Sequence, residues 1–471
     1  AEKYILYIVV ERFSNIDLHP KTVTNAEMGD LYEYLSRTFN ESSNEAPGEH
    51  FTPRDAIRLL VDLVFAGDDE ALGTPGAIRS IYDPTVGTGG MLSIAEEHLI
   101  GSSDRPGLNP QAQLRLYGQE WNDHSYAVCK SDLLIKGYDS SNIQLGDTLA
   151  DDKFAGQTFD SCMSNPPYGD DWKAGQSAVM EDLKELGSSS RFYAGGAKPK
   201  QNVPAVSDGQ MLFLQHVVSK LRPKVKGGGR GGIVMNGSPL FNGAAESGPS
   251  NIRKWLLEHD LVDTIVALPT DMFYNTGIAT YIWIVDNNKP EERQGRVQLI
   301  DGTEFYAKMR KKLGDKGREL TEANRATIVR LYADYVETEH CKIVPIDEFA
   351  YWQITVERPQ RDSEGEILTN ARGKKQPDAN LRDTERVPFT YNDNSRADEG
   401  RNETIKAYFD AEVQPYVPDA WIDEKKAKIG YEIPFTRHFY RYQPPRPLEE
   451  IDTELHQVTQ EILALLSEVT D

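Results

Sequence analysis

The run Asp83-Pro84-Thr85-Val86-Gly87-Thr88-Gly89-Gly90-Met91 constrains the fold more than any other stretch. It follows Ala77-Ile78-Arg79-Ser80-Ile81-Tyr82, which reads as a strand, and precedes Leu92 to Ile100, whose apolar residues have helical spacing. Strand, glycine-rich turn and helix form the nucleotide-binding arrangement of doubly wound α/β folds. Glycines let the backbone pass close to a ligand where a Cβ would intrude. No Gly-Lys-Ser/Thr follows, so the turn is not a phosphate loop, and the Gly-x-Gly-x-x-Gly of a dinucleotide site is missing. Asp83 at the strand end would repel phosphate. It favours a cationic ligand, such as an ammonium or a sulfonium.

Two further acids stand at strand ends. Leu114-Arg115-Leu116-Tyr117-Gly118-Gln119 runs into Glu120, in the position where a carboxylate usually accepts ribose hydroxyls. Asn142-Ile143-Gln144-Leu145-Gly146 leads to Asp147, placed to accept from an adenine amino group. Singly, each reads as a solvated loop acid. In series beside a glycine turn, they outline a site for an adenosine with a charged tail.

The tetrapeptide Asn165-Pro166-Pro167-Tyr168 follows an apolar stretch, Phe159 to Ser164, that reads as the end of a buried strand. Two consecutive prolines cannot continue a sheet or enter a helix interior, so the chain must turn there. The turn would present a side-chain amide, a free carbonyl and an aromatic ring. That set suits a planar NH2 group: the Asn165 oxygen and the Pro166 carbonyl accept its two N–H bonds, and Tyr168 stacks on its face. A proline-rich loop after a strand is the bland alternative, and the glycine turn decides against it.

With these motifs the chain resembles the modification subunits of type I restriction-modification systems, which are N6-adenine DNA methyltransferases of the γ motif order. The likeness rests on Phe51-Thr52-Pro53-Arg54 ahead of Asp83 to Gly90, then Asn165 to Tyr168. Gly118-Gln119-Glu120, Asp208-Gly209-Gln210, Asn275-Thr276-Gly277-Ile278 and Pro434-Phe435-Thr436-Arg437 add to it. The resemblance implies a doubly wound, Rossmann-like, S-adenosylmethionine-dependent domain with a helical N-terminal segment and a C-terminal extension ending in a helix. It implies cofactor contacts from Glu49, His50, Phe51, Thr52, Pro53, Arg54, Asp83, Thr85, Gly87, Thr88, Gly89, Gly90, Glu120, Asp147 and Asn165. It places catalysis on Asn165, Pro166, Pro167 and Tyr168, and the target base on Tyr168 and Phe273, though core packing explains Phe273 equally well. Thr52 is expected to cap the next helix with Pro53 at its first position, and that helix start to hold the cofactor carboxylate.

In this reading the target adenine is flipped out of its duplex. Hydrogen bonds to its NH2 raise the electron density on a poorly nucleophilic nitrogen, and no strong base is needed. The expected partners are a specificity subunit, a second modification subunit, double-stranded DNA and, where one accompanies the system, a restriction subunit. Ile451, Leu455, Val458, Ile462, Leu465 and Val469 form a heptad seam, which either packs on its own domain or, as the resemblance implies, grips the specificity subunit. Two other functions fit part of the pattern. One is a protein glutamine N5-methyltransferase, since a glutamine amide is also a planar NH2. The other is a catalytically silent assembly subunit.

Composition bounds these readings. A length of 471 residues suits two to three domains. The three cysteines, Cys129, Cys162 and Cys341, show no metal spacing and fit a reducing cytoplasm. No apolar run reaches membrane-spanning length. The net charge of −22 is unusual for a DNA enzyme, and the resemblance resolves it by implying a separate specificity subunit that does most of the DNA reading. Basic runs at Lys220 to Arg230 and Lys308 to Arg318 read first as solvated surface.

Four regions are expected. Residues 1–48 are a helical segment, expected to be the remnant of a larger domain, with a helix over Asn25 to Leu35. Residues 49–305 are the catalytic domain, in which the glycine- and serine-rich run Gly169 to Val206 is a candidate lid over the target base. Residues 306–430 are a charged, partly helical extension. Residues 431–471 are a tail for subunit assembly, extended at Pro434 to Arg437 and helical from Leu448.

Overall fold

The four runs read as strands join five others in a nine-stranded sheet. The computed structural model describes residues 7–8, 10–12, 14–17, 22–23, 52–66, 72–101, 106–274, 276–392, 401–423, 426–442 and 447–470, with 464–470 by backbone alone. Glu49, His50, Phe51, Asn275 and the helix expected over Asn25 to Leu35 therefore lie outside the described residues.

From residue 52 the described chain runs through helix α1 (Arg54–Phe65), then strand β1 (Ile78–Asp83) and helix α2 (Gly90–Ile100). β2 (Gln113–Glu120), α3 (Asp123–Ile135), β3 (Ile143–Leu145) and β4 (Ser161–Ser164) follow. After α4 (Gln176–Leu186) and α5 (Gln210–Lys220) come β5 (Arg230–Asn236), α6 (Gly248–Glu258), β6 (Val262–Ala267), β7 (Thr280–Asp286) and β8 (Arg296–Asp301). The sheet closes with β11 (Cys341–Pro345), giving the order β11-β8-β6-β7-β5-β4-β1-β2-β3. Pairs β3–β2, β2–β1, β1–β4, β4–β5 and β6–β8 are parallel, and β7 and β11 run antiparallel to their neighbours.

The chain winds outward from β1 through β2 to β3, then returns to the other flank of β1 as β4. That reversal opens a crevice at the carboxyl ends of β1 and β4, where doubly wound sheets bind ligands. The central strands are covered on both faces: all of β6, and β7 as far as Val285, are buried, which demands apolar side chains pointing both ways. α1 lies close against β5 because Gly232 has no side chain. A Cβ there would come within 2.5 Å of Leu60 Cδ1 and 2.7 Å of Val64 Cγ2.

Three segments differ from expectation. The run after Asn-Pro-Pro-Tyr is not an unstructured loop. It contains α4 and a small core of its own, in which Trp172, Val179, Leu183, Phe192 and Val203 bury against Leu149 and Leu212. Its glycines and serines masked these widely spaced apolar anchors. The extension past residue 305 carries strands as well as helices. A hairpin of β9 (Ala307–Leu313) and β10 (Lys316–Glu319) is followed by helix α7 (Glu322–Asp334). Beyond β11, which joins the main sheet, β12 (Ala350–Glu357) pairs antiparallel with β13 (Asp383–Pro388), β14 (Trp421–Ile422) and β15 (Lys428–Tyr431). Buried Arg253 on α6 ties this small sheet to the main body, donating to the carbonyls of Tyr431, Pro239 and Asn242. The third difference is at Phe435–Phe439, a short helix rather than an extended segment. Pro434 sits just ahead of its first turn, where the missing N–H costs nothing.

Residues 435–471 form a unit of their own. Its long helix spans Leu448–Thr470, and Leu455, Val458 and Ile462 of the seam are exposed. Among the described residues no helix is long and apolar enough to cross a membrane.

Candidate active site

The end of β1 sets the first wall of the crevice. Asp83 is buried, and its Oδ1 accepts the backbone N–H of Thr85 at 2.9 Å. Burial pushes its carboxyl up to about 7, and the charge of Glu120 adds to the rise. The Thr85 hydroxyl lies 2.8 Å from Ser164 Oγ, linking the turn to the end of β4. Gly87 and Gly89 have φ of +53° and +85°, the left-handed region in which a Cβ is strained. A Cβ on Gly89 would also fall 2.8 Å from Cys129 Sγ.

Glu120, at the end of β2, straps this turn in place. Its Oε2 accepts Gly87 N–H at 2.8 Å and its Oε1 accepts Asn122 N–H at 2.9 Å. Asn122 in turn caps α3, accepting from Ser125 N–H at 2.9 Å. Asp147 accepts Leu149 N–H at 2.9 Å, and its neighbour Thr148 donates to the Pro84 carbonyl at 2.5 Å. Among the described residues no Lys or Arg forms an ion pair with Asp83 or Asp147.

Asn165 follows β4 directly, and its amide is held at both ends. Nδ2 donates to Thr52 Oγ1 at 2.8 Å, and Oδ1 accepts the hydroxyl of Tyr168. This corrects the expectation for Thr52. Pro53 is the residue before α1 and its carbonyl takes the first helical N–H, from Ile57 at 3.0 Å, so Thr52 sits one residue too early to cap. Its hydroxyl meets Asn165 instead. The Tyr168 ring stands edge-on to Phe273, with centroids 5.9 Å apart and planes at 90°. Phe273 is 2% exposed and belongs to the core, so it braces Tyr168 from behind as well as lining the crevice.

These elements enclose a cavity of about 360 Å³. Thr52, Arg54, Asp83, Thr85, Gly87, Thr88, Gly90, Glu120, Asp147, Asn165, Pro166, Pro167, Tyr168 and Phe273 all line it. Pro53 and Gly89 do not: both act on the backbone behind the wall. Sequence reasoning missed Trp121, Asp170, Asp171, Trp172 and Phe213, which also line the cavity. Trp121 could have been found, because it follows the ribose-position acid directly and is 73% exposed. The others come from the insertion after Tyr168 and from α5.

A buried network supports the wall from behind. Tyr82 Oη lies 3.1 Å from His216 Nε2, and Arg191 NH1 lies 2.7 Å from His216 Nδ1. Arg191 also donates to the carbonyls of Thr148 and Leu149, both at 2.8 Å, pinning the loop that carries Asp147. Burial and then the charges of Arg191 and Lys220 hold His216 well below the usual imidazole range, so it serves as a neutral bridge.

Comparison with known proteins agrees with this architecture. The sequence profile of the N-6 DNA Methylase family matches residues 24–365. The methylase subunit of the type I restriction enzyme MjaIX of Methanocaldococcus jannaschii is 28% identical over 352 residues, 73% of this chain and 56% of that protein. The HindI methylase subunit of Haemophilus influenzae is 28% identical over 59% of this chain and 54% of its own length. The chain thus spans little more than half the length of these relatives. Among solved structures, the type I restriction-modification methyltransferase subunit from Streptococcus thermophilus superposes with a TM-score of 0.57 at 25% identity, over 72% of this chain and 64% of that one. A modification subunit of a type I enzyme from Vibrio vulnificus shares the fold, with a TM-score of 0.53 at 21% identity over 78% of this chain and 67% of its own. With its parallel strands, glycine turn and Asn-Pro-Pro-Tyr edge all lying inside the matched span, the chain belongs to the N-6 DNA methylase family.

Proposed function

We propose that this chain transfers a methyl group from S-adenosylmethionine to N6 of a flipped-out adenine in DNA, as the modification subunit of a type I restriction-modification complex. One observation carries the reading. The amide of Asn165 is fixed between Thr52 and Tyr168, at the same switch point where Asp83, Glu120 and the glycine turn form an adenosine-sized recess.

The cavity fits the cofactor. Its volume of about 360 Å³ lies within the range of small-molecule sites, ~300–1,000 Å³. When bound, S-adenosylmethionine supplies an electrophilic methyl group. The protein's own part is binding and orientation. Glu120 already accepts two backbone N–H bonds, and a carboxylate has lone pairs left for ribose hydroxyls. Asp147 is placed to accept from an adenine amino group, and the exposed Trp121 indole offers that ring a face. Asp83 favours a cationic tail. Thr52 accepts from Asn165 and keeps its own proton to donate to a carboxylate.

Asn165 Oδ1 takes the Tyr168 hydroxyl on one lone pair and offers the other to the target NH2. The Pro166 carbonyl accepts the second N–H. Both bonds strengthen as the nitrogen turns pyramidal and its charge rises. The Asn165 amide oxygen is too weak a base to keep a proton at neutral pH, so the surplus proton leaves to solvent after transfer. We further infer that the seam on Leu448–Thr470 joins a specificity subunit, alongside a second copy of this chain, and co-purification of a chain ending at Pro447 checks it.

Methylome sequencing of cells with and without this gene tests the main reading. One sequence motif should lose its N6-methyladenine when the gene is removed. An unchanged set of methylated adenines would sink the proposal.

A further inference from the structure

We propose that the β9–β10 hairpin grips the DNA backbone beside the flipped adenine, an inference that rests on the adenine reading above. The basic run Lys308 to Arg318 looks uniform in sequence, but the fold divides it. Lys316 is buried, and its ammonium donates to the Asp55 carboxylate at 2.9 Å and 3.0 Å, to the Met272 carbonyl at 3.0 Å and to the Arg318 carbonyl at 2.9 Å. Arg318 bonds Thr270 and lies over the Tyr306 ring at 4.3 Å. These two cations build the structure. Lys308, Arg310, Lys311 and Lys312 are all exposed, and among the described residues none pairs with an acid.

Four cations within five residues, without acidic partners, repel one another. Their placement is specific. Lys316 pairs with Leu313 and Arg318 with Lys308, so Met309 to Lys312 of β9 have only Gly317 opposite them. The ladder slips there and the basic stretch bulges from it, a device that re-aims side chains beside active sites.

The hairpin is also fastened to the cavity wall. Gly317 N–H and Arg318 N–H donate to the Asp271 carbonyl at 2.9 Å and 3.2 Å, and Asp315 N–H donates to the Tyr274 carbonyl at 2.9 Å. Asp271 is held at φ +56°, left-handed for a residue with a Cβ, in the turn that presents Phe273 to Tyr168. Asp55, the partner of Lys316, adjoins Arg54 on the rim. The unpaired cations therefore stand on a rigid support at the edge where the target base must enter. Phosphates flanking a base leaving its duplex supply the complementary charge. On a chain of net charge −22, such a local patch holds DNA at the rim without attracting it elsewhere.

The test uses the intact methyltransferase complex and unmodified genomic DNA fragments from cells lacking this gene. A variant carrying Lys308→Gln, Arg310→Gln, Lys311→Gln and Lys312→Gln should bind this DNA roughly tenfold or more weakly at 0.15 M salt. Its slope of log affinity against log salt should flatten by about 0.9 for each phosphate that is no longer neutralised. S-adenosylmethionine affinity should stay unchanged, which controls for folding. Exchanging Lys and Arg at the same four positions keeps the charge and should restore both DNA readouts. A glutamine variant with the parent's affinity and salt slope overturns the proposal. Adenine methylation by the parent is measured alongside. If it occurs while the slope is unchanged, only the hairpin's role falls. If it is absent while the slope depends on the hairpin, the adenine reading falls and the hairpin's grip on the backbone stands.

Discussion

The two rims of the main sheet use buried acids in opposite ways. At the rim formed by the start of β4, β5 and β6, acids meet cations. Asp160 bonds Arg222 and both the backbone N–H and the hydroxyl of Ser80. Asp263 lies 3.1 Å from Arg230 and 3.4 Å from Arg293, and Arg230 also reaches Asp286 at 2.9 Å. At the carboxyl rim, Asp83 and Asp147 accept backbone N–H bonds instead. Burial pushes both Asp263 and Asp83 up. Arg230, Arg293 and Lys289 then pull Asp263 below the usual carboxylate range, while Asp83 is left near 7. The same residue type is structural where the protein supplies its counter-charge. On the proposed reading it becomes a binding group where the cofactor would supply that charge.

Substitution at each rim should separate these roles. Asp263→Ala leaves Arg230 and Arg293 buried without their shared acid and should cost about 3–5 kcal/mol in denaturant unfolding. An unfolding midpoint close to the parent's would mean that the ion cluster does not hold this rim. Glu120→Ala should weaken S-adenosylmethionine binding by about 1–3 kcal/mol, read by calorimetry on a folded variant. Unchanged affinity would remove Glu120 from the site and erase the contrast between rims.

Asp83 gives the subtler test. Its carboxyl is near 7 when folded and near 3.8 when unfolded. Well below pH 4 both states hold the proton, so no penalty for burying a charge arises. Between pH 4 and 7 the folded protein keeps a proton that the unfolded chain has lost, and stability falls as pH rises toward 7. A cationic ligand favours the ionised form. Cofactor affinity should therefore climb with pH by up to about tenfold per unit and flatten above pH 7. Asp83→Asn should remove this slope, and a variant with the parent's pH dependence would show that Asp83 does not face the cationic end.

What could be read from the chain was what local backbone chemistry dictates. Gly87 and Gly89 mark left-handed turns, and the two prolines after Asn165 mark a chain that must leave the sheet. Acids at strand ends need only the strand pattern to be located. The rest depends on contacts between distant segments. Thr52 looked like a helix cap because its partner Asn165 is 113 residues away. The run after Tyr168 looked like a long loop because Trp172, Phe192 and Val203 are scattered among glycines and serines, yet they converge on Leu149 and Leu212. Arg191 and His216 gave no signal at all, since their work is to brace the Asp147 loop from behind. Even the basic run at Lys308 to Arg318 could not be divided into buried and exposed cations without the hairpin.

The most direct test compares the intact complex with its Asn165→Ala variant, measuring N6-methyladenine formed on unmodified DNA and S-adenosylmethionine affinity in parallel. On the proposed reading, the bonds from Asn165 to the target NH2 tighten mainly as charge develops. Methylation should therefore fall by roughly 10²–10³-fold or more while cofactor affinity stays within about twofold. A variant that still forms N6-methyladenine near the parent's rate would contradict the assignment of the β4 edge as the site of transfer.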